Sequence, residues 1–142
     1  MPGDLLSKYS GATAAIDIVL NGLANGLTIF SEAVDNESPL YLDALISVTV
    51  ETKTGVSGTG VIQVFVVGEP YPDTANQERL LLETFNANDD EETFTCNAKS
   101  IAAHFDYIMP PKWKIGVKNL TGADLSGSNN QAEYRGVYEQ YT

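Results

Sequence analysis

The chain has 142 residues, enough for one domain with its own core, and 43% hydrophobic content with five Phe, seven Tyr and one Trp is too rich for a disordered segment. A net charge of −11 argues against binding nucleic acid or an anionic membrane surface, since both would repel the chain. The single cysteine, Cys96, rules out an intrachain disulfide and with it the small disulfide-scaffold class.

Met1-Pro2-Gly3-Asp4 has neither a basic n-region nor an apolar h-region, so a chain made in a cytoplasm is the expectation. Residues 1–12 are small and polar apart from Tyr9, and read as a flexible N-terminal arm ahead of a single domain over 13–142. Thr13 to Leu20 is the first expected strand, with Ile16, Ile18 and Leu20 on one side. Asn21-Gly22 and Asn25-Gly26 tolerate positive φ and suit a tight hairpin, with Leu27 to Phe30 returning. A helix over 16–30 is the rival, but two glycines and two asparagines make it poor.

Tyr41 to Glu51 is the cleanest alternation in the chain. Leu42, Ala44, Ile46, Val48 and Val50 share one face, which places Leu42, Ile46 and Val48 in the core. Val61 to Val67 is apolar on both faces except at Gln63, which implies burial on both sides or an interface. Two prolines bar 68–77 from a central strand. Glu78 to Phe85 and Thr93 to Asn97 are further strands, and Ser100 is placed to N-cap a helical turn.

Met109-Pro110-Pro111 marks a corner, because proline fixes φ and lacks a donor. In the strand that follows, Trp113, Ile115 and Val117 alternate with Lys112, Lys114, Gly116 and Lys118. This predicts a central, half-buried strand with Trp113, Ile115 and Val117 in the core and a cationic outer face. Asn119 to Gly122 is a turn, 121–130 a loop, and Glu133 to Tyr141 the last strand. About eight short strands at intervals of roughly ten residues, without a long helix, predict an all-β antiparallel sandwich of jelly-roll type. An immunoglobulin-like sandwich is the near alternative.

Catalytic chemistry finds no footing. One histidine, His104, and one cysteine cannot build a zinc site, and a Cys96–His104 pair rests only on the two residues existing. Asp35-Asn36-Glu37 and Asp89-Asp90-Glu91-Glu92 offer oxygens to calcium, but without helix-loop-helix spacing they read first as solvated loops. The glycines of 55–60 lack the Lys-Ser/Thr of a phosphate loop. Asn36-Glu37-Ser38 and Asn119-Leu120-Thr121 match glycosylation acceptors, which means little without a secretory signal. No cofactor or metal is expected. Tyrosines are the remaining signal, since they suit partly buried interfaces. Tyr9, Tyr71, Tyr134 and Tyr138 are the candidate partner-binding residues.

Several stretches, in order, carry a resemblance. They are Ser7-Lys8-Tyr9-Ser10-Gly11, Leu23-Ala24-Asn25-Gly26, Ala33-Val34-Asp35-Asn36, Tyr41-Leu42-Asp43-Ala44-Leu45, Ser100-Ile101-Ala102, and Met109 to Val117 with Asn119-Leu120-Thr121-Gly122-Ala123-Asp124-Leu125. Across residues 7–140 the chain resembles a group of small tailed-bacteriophage virion proteins, and differs from them in the loops 68–76 and 89–92. The resemblance implies a non-enzymatic structural component located in the virion. A capsid cement or decoration protein bridging major capsid protein subunits, as a homo-oligomer with a trimer favoured, is the first expectation. A neck, tail or baseplate component is the second. A carbohydrate-binding module for a host glycan, using Tyr71 or Tyr107, is the third.

Overall fold

The computed structural model describes residues 5–37, 40–69 and 79–141. Ten strands follow one another: β1 Leu5–Tyr9, β2 Ala14–Ala15, β3 Thr28–Phe30, β4 Val34–Asp35, β5 Asp43–Glu51, β6 Val61–Glu69, β7 Leu80–Asn86, β8 Thr93–Ser100, β9 Lys112–Leu120 and β10 Gln131–Tyr141. The one helical element among the described residues is a 3₁₀ turn, Ala102–His104.

Two antiparallel sheets pack face to face. One has the order β1-β10-β5-β8 with β2 also on β10; the other has β3-β9-β6-β7 with β4 also on β9. With the two-residue pieces β2 and β4 set aside, chain order alternates between the sheets at every connection except the β6–β7 hairpin, so the topology is a jelly roll. Four strands per sheet account for the eight expected, and β2 and β4 are two-residue pieces paired alongside them.

Alternation sets the core. β5 runs intermediate–buried along its whole length, which puts Ala44, Ile46, Val48 and Val50 inside. From the facing sheet Ile62, Val64, Val66, Trp113, Ile115 and Val117 meet them. Trp113 is fully buried on central strand β9, as expected, and its ring meets Tyr134 edge-on at 5.2 Å and 87°. At roughly 25 cal/mol per Å² of apolar surface, this inter-sheet layer is the main favourable term for the fold.

Five expectations need correction. Leu42 has core parity but is 46% exposed, because it precedes Asp43, the first residue of β5, and lies at the rim of the sandwich. Leu5 to Tyr9 is not a free arm: it is β1, in register with β10 from Leu5↔Tyr141 to Tyr9↔Val137. The strand expected over 13–20 pairs only at Ala14 and Ala15, although Ile16 and Leu20 are buried as their parity required. Gly22 and Gly26 do adopt left-handed φ values of 74° and 83°, but the turns they make carry the chain from one sheet to the other instead of closing a hairpin. The outer face of β9 is not uniformly open: Lys114 and Gly116 are buried beneath Phe30, whose ring lies 5.5 Å from Lys114 Nζ and 5.1 Å from the Arg79 guanidinium. Arg79 also lies 5.7 Å from the Phe65 ring, which helps explain the doubly apolar pattern of β6.

Candidate functional site

The two ends of the sandwich differ in chemistry. At one end the connections 20–27, 52–60, 87–92 and 121–130 are rich in Gly, Asn and Asp, and their polar groups are used internally. Buried Asn119 donates from Nδ2 to the carbonyls of Leu23 and Ala123, both at 2.8 Å, and accepts from Thr121 N–H and Oγ1. The turn Asn119 to Gly122 is thus a structural clasp. Asn36 is likewise buried, bonding both ways with the backbone of Tyr41, so neither Asn of the acceptor-like motifs is offered to solvent.

The acidic run is also a brace. Asp90 Oδ1 accepts from Gly55 and Val56 N–H at 2.9 and 3.0 Å, and Thr52 Oγ1 donates to the Asp89 and Glu92 carbonyls. Among the described residues no group of three or more His, Cys, Asp or Glu is arranged to hold a metal. Beside this brace Glu51, Thr52, Lys53, Thr54, Glu91 and Ser126 border an open depression. Hydrogen bonds from Ser126 and Asn129 hold the Glu51 carboxyl below its ordinary range. Cys96 is buried in β8, and burial with the neighbouring Glu83 charge pushes its thiol up, away from nucleophile character. The His104 ring lies 3.2 Å from the Ser100 carbonyl.

The other end is apolar at its surface. Leu40, Tyr107 and Ile108 are 65%, 79% and 77% exposed, and rim residue Leu42 joins them. These side chains stand on ordered backbone. Leu42 N–H donates to the Val137 carbonyl at 2.7 Å, and Tyr107 N–H to the Ala102 carbonyl at 2.8 Å. Asp43 ties the two loops: its Oδ1 accepts from Ala102 N–H at 2.9 Å and its Oδ2 from Ser100 Oγ at 2.5 Å. Ser100 Oγ also accepts from Ala103 N–H, but the N-cap of the 3₁₀ turn is Ile101, not Ser100 as expected, so Ser100 supports the turn from one residue further back. Asp106 and Tyr107 have φ of 54° and 63°, strained values for residues with a Cβ.

A groove on the outer face of the β1-β10-β5-β8 sheet is the second surface. β1 leaves β10 after Tyr9↔Val137, and β2 rejoins it at Tyr134↔Ala14. Ser10 bridges the gap through Gly136. The resulting depression of about 360 Å³ is bordered by Tyr9, Thr13, Leu45, Ser47, Glu133, Tyr134 and Arg135. Register places Glu133 opposite Ser47 and Arg135 opposite Leu45 on that face. Thr13 Oγ1 donates to Glu133 Oε2 at 2.9 Å.

Of the predicted partner-binding residues, the fold brings Tyr9 to this groove; Tyr134 borders it on β10, but opposite core residue Ile46 its ring turns inward. Tyr9 is 61% exposed, whereas Tyr134 is anchored on Trp113, and burial raises its hydroxyl above the ordinary value. Tyr138 is half-buried, pairs with Lys8 and lies outside the groove. Tyr71 falls outside the described residues. Sequence reasoning missed Arg135, Glu133 and Asp43; the only signal for the first two was their shared parity on the last strand.

No protein-family model matches the chain, and a search of curated proteins finds no match. Among solved structures the chain is similar to a Cellvibrio japonicus Xylanase10C mutant in complex with xylopentaose. The TM-score is 0.48 at 13% identity, over 100% of this chain and 29% of that one, so this chain spans under a third of that protein's length.

Proposed function

We propose that the protein is a non-enzymatic virion structural component, a cement or decoration protein that seats on major capsid protein subunits. The observation that carries this reading is the apolar end, where Leu40, Leu42, Tyr107 and Ile108 are presented to solvent on hydrogen-bonded loops. Exposed apolar side chains grouped in this way mark a protein–protein contact. The resemblance of the Pro-Pro-Lys-Trp strand and its Asn-Leu-Thr-Gly turn to tailed-phage virion proteins supplies the kind of partner. A net charge of −11 keeps free copies soluble and apart until they dock. Repetition over many equivalent junctions makes a modest area per copy sufficient to stabilise a particle. A homotrimer remains the favoured assembly within this reading.

The test is to add purified protein to particles lacking it and follow occupancy and particle melting temperature. Saturable binding at capsomer junctions with a raised melting temperature supports cement. Binding of a few copies at one vertex or the tail moves the assignment to the neck or tail. The double variant L40S/I108S should keep the melting temperature of the free protein and lose docking. If it docks as well as the parent chain, the apolar end is not the contact.

A further inference from the structure

We infer that the groove between β1, β2 and β10 binds a short neutral saccharide. The inference stands on the groove alone and is independent of the virion reading. Three features carry it. The groove is lined by side chains of opposite character, Arg135 and Glu133, two residues apart on one face of β10 and therefore about 7 Å apart along the strand. Among the described residues the one ion pair is Lys99–Glu83, so Arg135, which lines the groove, has no carboxylate of those residues bridged to it. Tyr9 supplies an exposed aromatic ring at the margin, with Leu45 as apolar floor.

Elimination narrows the ligand. An anion meets Glu133, and a cation meets Arg135. An apolar ligand wastes both and leaves them desolvated. A pyranose matches all three features: its hydroxyls donate to Glu133 and accept from Arg135, while its C–H face lies on Tyr9 and Leu45. The groove volume of 360 Å³ sits at the small end of the usual range of about 300–1,000 Å³, which limits the fit to one or two rings. Shallow sites of this kind give a Kd on the order of 1 mM.

The probes are maltotriose, cellotriose and tri-N-acetylchitotriose, each titrated into the ¹⁵N-labelled full chain to about twenty times that Kd. The expected result is saturable amide shifts from one or more of them, confined to 9–13, 45–47 and 133–135. R135A should abolish the shifts, R135K should weaken them, and neither should move the melting temperature, since the side chain is exposed. Y9A should weaken binding at least tenfold. Silence with all three probes overturns the inference, as do shifts that lie elsewhere. A response to trigalacturonate with none to the neutral probes overturns it too, because the site would then read a carboxylate through Arg135.

Discussion

The ring of Tyr41 lies flat against Gly136. A Cβ placed on that glycine would come within 2.5 Å of three ring atoms, Cγ, Cδ1 and Cε1. The contact lies on the inner face of β10, the face that Gly136 shares with Tyr134 and with its cross-strand partner Ala44, and it needs the glycine for close approach, not for an unusual φ. Gly136→Ala should therefore overpack the site, costing about 1–3 kcal/mol and lowering Tm by about 3–10 °C. In a Tyr41→Ala background the same substitution should cost much less, and thermal unfolding of the four-member cycle measures the difference. An unchanged cost in that background would show that the ring is not what constrains the glycine.

Asn119 satisfies two carbonyls and two donors inside the polar end. Asn119→Ala should strand these groups and destabilise the chain by about 2–4 kcal/mol. Asn119→Asp should be at least as damaging, because a carboxylate would face the Leu23 and Ala123 carbonyls without protons to offer. Chemical denaturation of both variants checks the order, and a mild effect for Asp would contradict the assigned donor direction.

Asp43 joins the start of β5 to the connection that carries Tyr107. Its carboxylate also accepts from Ala44 N–H at 2.7 Å. Asp43→Ala should cost about 1–3 kcal/mol overall. Its more specific consequence is local: the Tyr107 loop should open more often, so limited chymotrypsin cleavage after Tyr107 should accelerate beyond what the global loss of stability accounts for. Asp43→Asn keeps one acceptor and should fall between the parent and Asp43→Ala.

Burial raises the Tyr134 hydroxyl, with the nearby Tyr41 and Asp35 charges acting in the same direction. The folded chain then holds this proton more tightly than the unfolded chain does. Stability is unaffected below the unfolded value near 10 and falls as pH rises beyond it toward the folded value. Difference absorbance at 295 nm between the parent and Tyr134→Phe should show one tyrosine ionising late. Tyr134→Phe should also flatten the loss of stability in that alkaline window. An ordinary titration for this tyrosine would refute the account.

Local pattern determined a good deal of this protein. The alternation of 44–50 and of 113–117 is a property of the strand itself, whose side chains point to opposite faces with period two, so these core positions were legible without a structure. Strand number, sandwich class and the central position of Trp113 followed from the same signal. Gly22 and Gly26 announced their turns for the same local reason, the absence of a Cβ.

Tertiary structure decided what local pattern cannot encode. Leu42 shares the parity of Ala44, but burial needs an opposing surface, and the rim provides too little of one. Lys114 and Gly116 read as an open cationic face until Phe30, 86 residues from Gly116 in sequence, covers them from β3. Leu5 to Tyr9 lacks any strong strand signal of its own and becomes a strand because the edge of β10 offers it unpaired donors and acceptors. The groove that unites Tyr9, Glu133 and Arg135 exists only because β1 and β2 pair with the last strand. Period and turn chemistry act over a few residues, whereas a site assembled across a jelly roll is set by which strands become neighbours.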